Sequence, residues 1–390
     1  DELQQLYKAA LTKRKPTLPP LKQSYTDYVA WQRTLIDTEG DRLWAYWREQ
    51  LAGDLPVLDL PLDHPRPATS IYEGASLPLT IPTELVLQLR QVAQSHGVTP
   101  YMLFLATYQL LLQRHTGQDD LLVASPMAGR SRPEFAAILG YFVSLVVLRG
   151  NLAGNPTFAE LLQQSRRTVL GAFEHQDFPF QLLVERLQPT RLPNRAPIYD
   201  AMFTMQQPQA SLHQDDITAA PGNTPLHNTE LVQWGELPIS LYPLAQYGGA
   251  FDLFLELAQT TADTVTGFFH YNPRLFDATT IQRLANHFLT LLSNIAHDPQ
   301  QPIAQIPLLT AAEQHQLLVE WNTPSVDLHQ LPAWTDQPIH QRVAAQAART
   351  PNAIAVTLAD DLAQEEGRGT NYELRVTQHA TRNTQHATRK

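Results

Sequence analysis

Two side chains suited to proton transfer stand two residues apart in the run FEHQDFPFQLL: His175 and Asp177. A catalytic pair of this kind needs the carboxylate to hold the imidazole and the imidazole to face a nucleophile. No serine nearby sits in a strained-turn motif, since residues 129–133 read GRSRP and not G-x-S-x-G. The same residues also start a helix. Asp177 would stand at or next to its N-cap and Pro179 in its first turn, where N–H groups have no intrahelical partner. Phe180, Leu183, Val184 and Leu187 would make one apolar face, and His175 could hydrogen-bond the same turn. The helix reading is the stronger one and makes the run structural.

Other chemistries find less support. The chain has no cysteine, which excludes thiol nucleophiles, disulfides and zinc–thiolate sites and fits a reducing, cytoplasmic setting. Its 14 histidines are scattered without H-E-x-x-H spacing, so no metal is expected. Phosphate-cradling glycine loops are missing as well. A net charge of −10 argues against nucleic acid or an anionic membrane as main partner. The longest apolar run, Tyr101–Leu112, is shorter than the roughly 20 residues a membrane span requires. The N-terminus is polar, without a signal peptide, and begins at Asp1, which reads as a piece of a longer polypeptide.

The elements that must position these residues alternate between helix and strand. Residues 1–15 are helical in character, and the prolines from Pro16 end them. Two helices follow, YTDYVAWQRTLI and DRLWAYWREQLAG, the second closed by Gly53. The segment Leu55–Pro67, with Pro56, Pro61, Pro65 and Pro67, must run extended across something else, as a crossing between lobes would. A strand at ASLPLTIP, a helix capped by Thr83, a buried helix at Pro100–His115 and a strand in DDLLVASPM come next. LGYFVSLVVLRGNL reads as another strand, and Thr157 with Glu160 forms a capping box for the helix after it. Three more strands, AMFTMQQ, GAFDLFLELAQ and TVTGFFHYN, flank a polar loop at 208–228, and a long helix begins at Asp277. This pattern predicts a layered α/β fold with a mixed sheet. The closing residues repeat, TQHATRN then TQHATRK, with no large apolar position; they read as a disordered tail, encoded by repetitive DNA after a broken reading frame.

Taken in order, the motifs resemble the condensation domains of nonribosomal peptide synthetases. Tyr25–Gln32 (YTDYVAWQ) is similar to that family's Y-x-D-Y-A-x-W-Q, and Leu139–Arg149 (LGYFVSLVVLR) to its I-G-x-F-V-N-T-x-x-x-R. His175–Gln181 (HQDFPFQ) is similar to H-Q-D-x-P-F-E, and Thr190–Gln206 to R-D-x-S-R-N-P-L followed by a strand. On these matches the family-motif and tunnel-wall candidates are Tyr25, Asp27, Tyr28, Trp31, Gly140, Phe142, Ser144, Arg149, His175, Asp177, Pro179, Phe180 and Arg195. Ser144 stands where the family usually has Asn, and Leu192-Pro193 replaces Asp-x-Ser.

The resemblance implies a chloramphenicol-acetyltransferase-like α/β fold (the CoA-dependent acyltransferase fold) of two lobes. It also implies amide formation between two carrier-bound substrates presented on phosphopantetheine arms. No cofactor would bind the chain directly; the arms are substrates, brought by upstream and downstream carrier domains beside the enzyme's own adenylation domain. The family's H-H-x-x-x-D-G is absent, because no two histidines are adjacent, so no catalytic residue is assigned and the chain alone is expected to be inactive. Residues 1–66 would then end the N-terminal lobe and include the crossing segment, and 67–305 would form a complete C-terminal lobe. Residues 306–338 resemble the linker to an adenylation domain, 339–359 its truncated start, and 360–390 the low-complexity tail. The alternatives are an inactive module that docks carrier proteins, a pseudogene remnant, or a CoA-dependent acyltransferase of the same fold.

Overall fold

The helix Pro100–Thr116 is apolar on every side, and each residue from Met102 to Leu112 is buried. Such a helix is stable only with structure packed all round it. The computed structural model describes residues 2–16, 18, 20–67, 73–206, 251–261, 263–322 and 339–351, and the backbone of 232–234 and 237–239. It divides into two units, 1–313 and 314–390.

The first unit contains, in chain order, α1 (Glu2–Leu11), α2 (Tyr25–Gln50), β1 (Ala75–Ile81), α3 (Thr83–Ser95), α4 (Pro100–Thr116) and β2 (Asp120–Met127). β3 (Ser144–Asn151), α5 (Phe158–Glu174), α6 (Phe180–Leu187) and β4 (Ala201–Gln206) follow, then the hairpin β5 (Val232–Trp234) and β6 (Leu237–Ile239). β7 (Leu253–Thr261), β8 (Thr264–Tyr271) and α7 (Ala278–His297) complete it. Six strands form one mixed sheet in the order β1-β8-β7-β4-β2-β3. β4 pairs parallel with both β2 and β7; the other pairs are antiparallel. α4 packs against α3, α5 and α7, and their apolar faces close one continuous core over the sheet. This is the layered mixed-sheet architecture that the alternating pattern predicts.

Local departures have physical reasons. The two expected helices between Tyr25 and Gly53 are one helix, α2. Gly40 is inside it, and the buried Tyr28, Leu43 and Trp47 supply packing that outweighs the cost of about 1 kcal/mol for a glycine in a helix. Leu51 is its C-cap, and Gly53 follows with φ of 77°. Thr83 is the first residue of α3 and not its cap; Pro82 takes that position without a side-chain bond. β3 starts only at Ser144, five residues after the start of the expected strand.

The segment Leu55–Pro67 contains no helix or strand, as its prolines require. Leu58 and Leu60 are buried, and Asp63 reaches α7, accepting from the Asp277 N–H (2.8 Å) and the Thr280 hydroxyl (3.0 Å). Asp277 holds the N-cap position of α7, but its carboxylate faces His64 Nε2 at 3.0 Å. The capping box of α5 is present as expected, with Glu160 accepting from both the N–H and the hydroxyl of Thr157.

A short helix α8 (Ala311–His315) spans the division between the units. In the second unit a π-helical turn (Gln316–Glu320) and a helix α9 (Ile339–Arg349) are described. The polar loop at 208–228, residues 352–359 of the stretch that resembles an adenylation-domain start and the heptapeptide repeat lie outside the described residues. Among the described residues no helix is long and apolar enough to cross a membrane.

Candidate functional site

The start of α2 is fixed by a capping box. Asp27 accepts from the N–H (2.7 Å) and the hydroxyl (2.8 Å) of Ser24, and the Ser24 hydroxyl accepts from the Asp27 N–H. The hydroxyl bond, then the backbone bond, holds the Asp27 carboxyl below the usual carboxylate range. With the helix so set, Tyr25, Tyr28 and Trp31 point at one loop. Tyr28 lies 4.5 Å from Phe142 and 5.5 Å, edge-on, from Phe135. Trp31 lies 5.7 Å from Phe135, and Tyr25 meets Phe142 edge-on at 5.4 Å. The Tyr25 hydroxyl donates to the Tyr141 carbonyl at 2.8 Å.

Two glycines let that loop lie so close. A Cβ on Gly140 would stand 2.2 Å from Tyr25 Cδ2, so only glycine fits under the ring as it is placed. Gly129, at φ of 64°, would meet the Phe142 carbonyl oxygen at 1.7 Å. The Arg130 guanidinium stacks 4.1 Å over Phe142 and donates to the carbonyls of Phe135 and Ala136.

The stretch His175–Phe180 approaches the same region, but His175 and Asp177 have separate partners. His175 is the C-cap of α5; its Nδ1 donates to the Gly171 carbonyl (2.8 Å) and its ring stacks on Tyr46 at 4.0 Å. With Nδ1 carrying the proton, Nε2 accepts from Arg42 at 3.4 Å. Trp47 Nε1 donates to the His175 carbonyl, so α2 is bolted to the end of α5. Burial, followed by the charge of Glu174, pushes the Tyr46 hydroxyl up to about 12. Asp177 accepts from the Ser131 hydroxyl at 3.0 Å and stands ahead of the helix it was expected to cap. Pro179 is the N-cap of α6, Phe180 opens the helix, and Phe178 is buried beneath Trp44.

Arg149 on β3 forks onto Asp120 of β2 at 2.8 and 2.6 Å and donates to the carbonyls of Gln50, Ala52 and Asp54. It thereby ties off the C-terminus of α2, where unpaired carbonyls favour a cation. Ser144, at the other end of β3, pairs with Met127 in the ladder. Arg195 bridges the Leu58 carbonyl (3.0 Å) to Asp200 (2.8 Å), and Arg66 forks onto Asp252. Burial, and then the charge of Asp252, raises the Asp200 carboxyl; Arg195 opposes that rise. These pairs anchor the segment Leu55–Pro67 to the starts of β4 and β7.

The structure thus gathers Tyr25, Tyr28, Trp31, Gly140 and Phe142 into one cluster, which Asp177 meets through Ser131, while His175 packs on Tyr46, Pro179 caps α6 and Phe180 meets Tyr199 edge-on. Arg149 and Arg195 serve separate anchors. The partners Ser131, Arg130, Phe135, Tyr46 and Asp200 were not singled out in the sequence, since each is joined to its group only by the fold. Among the described residues no group of three side chains could hold a metal ion.

The condensation-domain family matches residues 1–318, and the chain belongs to it. It is 35% identical over 357 residues to tyrocidine synthase 3 of Brevibacillus parabrevis, covering 91% of this chain and 5% of that protein. With malpinin synthetase of Mortierella alpina it shares 34% over 358 residues, 91% of this chain and 4% of that protein. The chain therefore spans only a small part of the curated relatives it matches. Its fold is similar to the X-domain from teicoplanin biosynthesis, with a TM-score of 0.68 and 25% identity over 79% of this chain and 67% of that one. The fold is the chloramphenicol-acetyltransferase-like α/β fold.

Proposed function

We propose that the chain supplies the sheet-bearing part of a condensation domain that joins a carrier-bound acyl or peptidyl thioester to a carrier-bound aminoacyl amine. The observation that carries this reading is convergence: segments 25–32 and 129–149 meet in one cluster of rings, and Asp177 of segment 175–181 joins their loop by a hydrogen bond from Ser131. In the reaction the amine attacks the thioester carbonyl, the carbon–sulfur bond breaks, and a thiol leaves on one phosphopantetheine arm. Catalysis requires the amine to be oriented and its proton removed. On this reading the motif residues hold the fold's helices and loops in place for this, and none takes the proton.

The adjacent-histidine motif would come from another part of the assembled synthetase, and the arms from upstream and downstream carrier domains. On this proposal residues 1–66 and 67–305 belong to the two lobes, 306–338 is the linker, and α9 lies within the adenylation start at 339–359. The experiment supplies the chain in trans with a polypeptide bearing H-H-x-x-x-D-G, plus loaded donor and acceptor carriers, and follows amide product by mass spectrometry. Product that depends on both polypeptides supports the proposal; none with carriers shown to be loaded overturns it. The absence of adjacent histidines also favours a second reading, a docking module that binds carriers without turnover. Carrier binding without product distinguishes it.

A further inference from the structure

A second group of chemistry-bearing side chains crosses the sheet away from the cluster above. Ser76 on β1 stands opposite His270 on β8, and its Oγ lies 2.7 Å from His270 Nδ1. His270 Nε2 lies 2.8 Å from Glu256 Oε2 on β7. Glu256 Oε1 accepts from Gln206 Nε2 on β4 at 2.6 Å. The four side chains follow one another across neighbouring strands.

This order fixes the protons. An ionised Glu256 only accepts, so the proton between it and the ring belongs to His270 Nε2. In the neutral imidazole Nδ1 then carries the lone pair, and the Ser76 hydroxyl donates to it. Gln206 holds the other carboxylate oxygen and so keeps Glu256 aimed at the ring. His270 and Glu256 are buried, and Phe254 and Phe268 flank the imidazole at 5.3 and 5.6 Å. A buried polar pair seldom adds stability over apolar side chains of similar size, so folding alone gives little reason for this row. A hydroxyl donating to an imidazole that a carboxylate orients is the arrangement that makes serine a nucleophile.

We propose that Ser76 is an acyl-accepting nucleophile for carboxylic thioesters and esters, with His270 as its base and Glu256 as the residue that orients the base. Ser76 Oγ bonds to the acyl carbon as its proton passes to His270 Nδ1. The carbon–sulfur or carbon–oxygen bond breaks, and the leaving thiol or alcohol takes that proton. Acyl-Ser76 remains, and water, deprotonated by the same imidazole, releases the acid. The proposal is independent of the condensation reading.

The lack of native cysteine makes the test direct, because Ser76→Cys gives the full chain its only thiol. A free thiol of pKa about 8.5 is only about 1% thiolate at pH 6.5. Alkylation by iodoacetamide, followed by intact mass, is expected to run at least about tenfold faster at pH 6.5 than in Ser76→Cys/Glu256→Gln, the imidazole acting as base. In the unsubstituted chain a fluorophosphonate is expected to label the Ser76 peptide, and labelling is lost in His270→Gln. Urea midpoints confirm that each variant is folded. A thiol at position 76 that alkylates no faster with Glu256 in place than in the Glu256→Gln background overturns the proposal, as does absence of fluorophosphonate labelling at Ser76.

Discussion

Replacing Gly140 by alanine places a Cβ 2.2 Å from Tyr25 Cδ2 and 2.6 Å from Cε2, well inside contact distance. The loop beneath is held by Phe142, which is buried, so the Tyr25 ring has to move. Moving it breaks the hydroxyl bond to the Tyr141 carbonyl and the edge contact with Phe142. The bond is worth about 1 kcal/mol and the ring pair about 1 kcal/mol more. Gly140 has no positive φ, so alanine itself gives back about 0.5 kcal/mol by restricting the unfolded chain. The net expectation is a loss of about 1–2 kcal/mol for Gly140→Ala. In a Tyr25→Ala background the obstacle is gone, and Gly140→Ala becomes neutral or slightly stabilising. Urea unfolding followed by tryptophan fluorescence measures the four corners of this cycle, with an expected coupling of about 2 kcal/mol. An equal loss in both backgrounds would refute the claim that the glycine exists to admit the Tyr25 ring.

Arg149→Lys keeps the charge but cannot fork onto Asp120 while also meeting the α2 carbonyls; a loss of about 2 kcal/mol is expected in the same urea assay. Asp63→Ala removes the carboxylate that caps α7 and is expected to cost about 1 kcal/mol, with faster amide exchange at Asp277. His115 is pushed down to about 4 by burial, then by its neighbour His287. Its folded pKa is below the unfolded value, so the unfolded chain binds more protons between the two. Its contribution is complete above about pH 6.5 and is lost as pH falls through about 4, at most about 3 kcal/mol. His115→Gln is expected to flatten that part of the stability–pH curve, read from urea midpoints at a series of pH values.

Much of the architecture was legible because its signals are local. Period and capping residues placed α4, α5, α7 and the strands β1, β2, β4, β7 and β8 within a few residues, and the prolines of Leu55–Pro67 announced an extended run. The errors arose where packing overrode local preference. The sequence reads as two helices, the second closed by Gly53, yet the buried face of Tyr28, Leu43 and Trp47 carries α2 unbroken through residues 37–40, and the helix ends at Leu51, before Gly53. Asp177 looked like a helix cap because nothing in the sequence points to Ser131, 46 residues earlier. The motif residues could be identified by type, but their roles depend on contacts between distant segments. Ser76, His270 and Glu256 show this most plainly, since three ordinary strand residues become a relay only in register.

On the proposed reading these motif residues build a scaffold and none of them is the base for condensation. That reading is tested most directly by giving the unmodified 390-residue chain, alone, both loaded carriers and following amide product by mass spectrometry over time. The account predicts formation no faster than the uncatalysed background, with no change when His175 is replaced by Gln. Product formed at an enzymatic rate by the chain alone, and lost in His175→Gln, would contradict it and would make His175 the base.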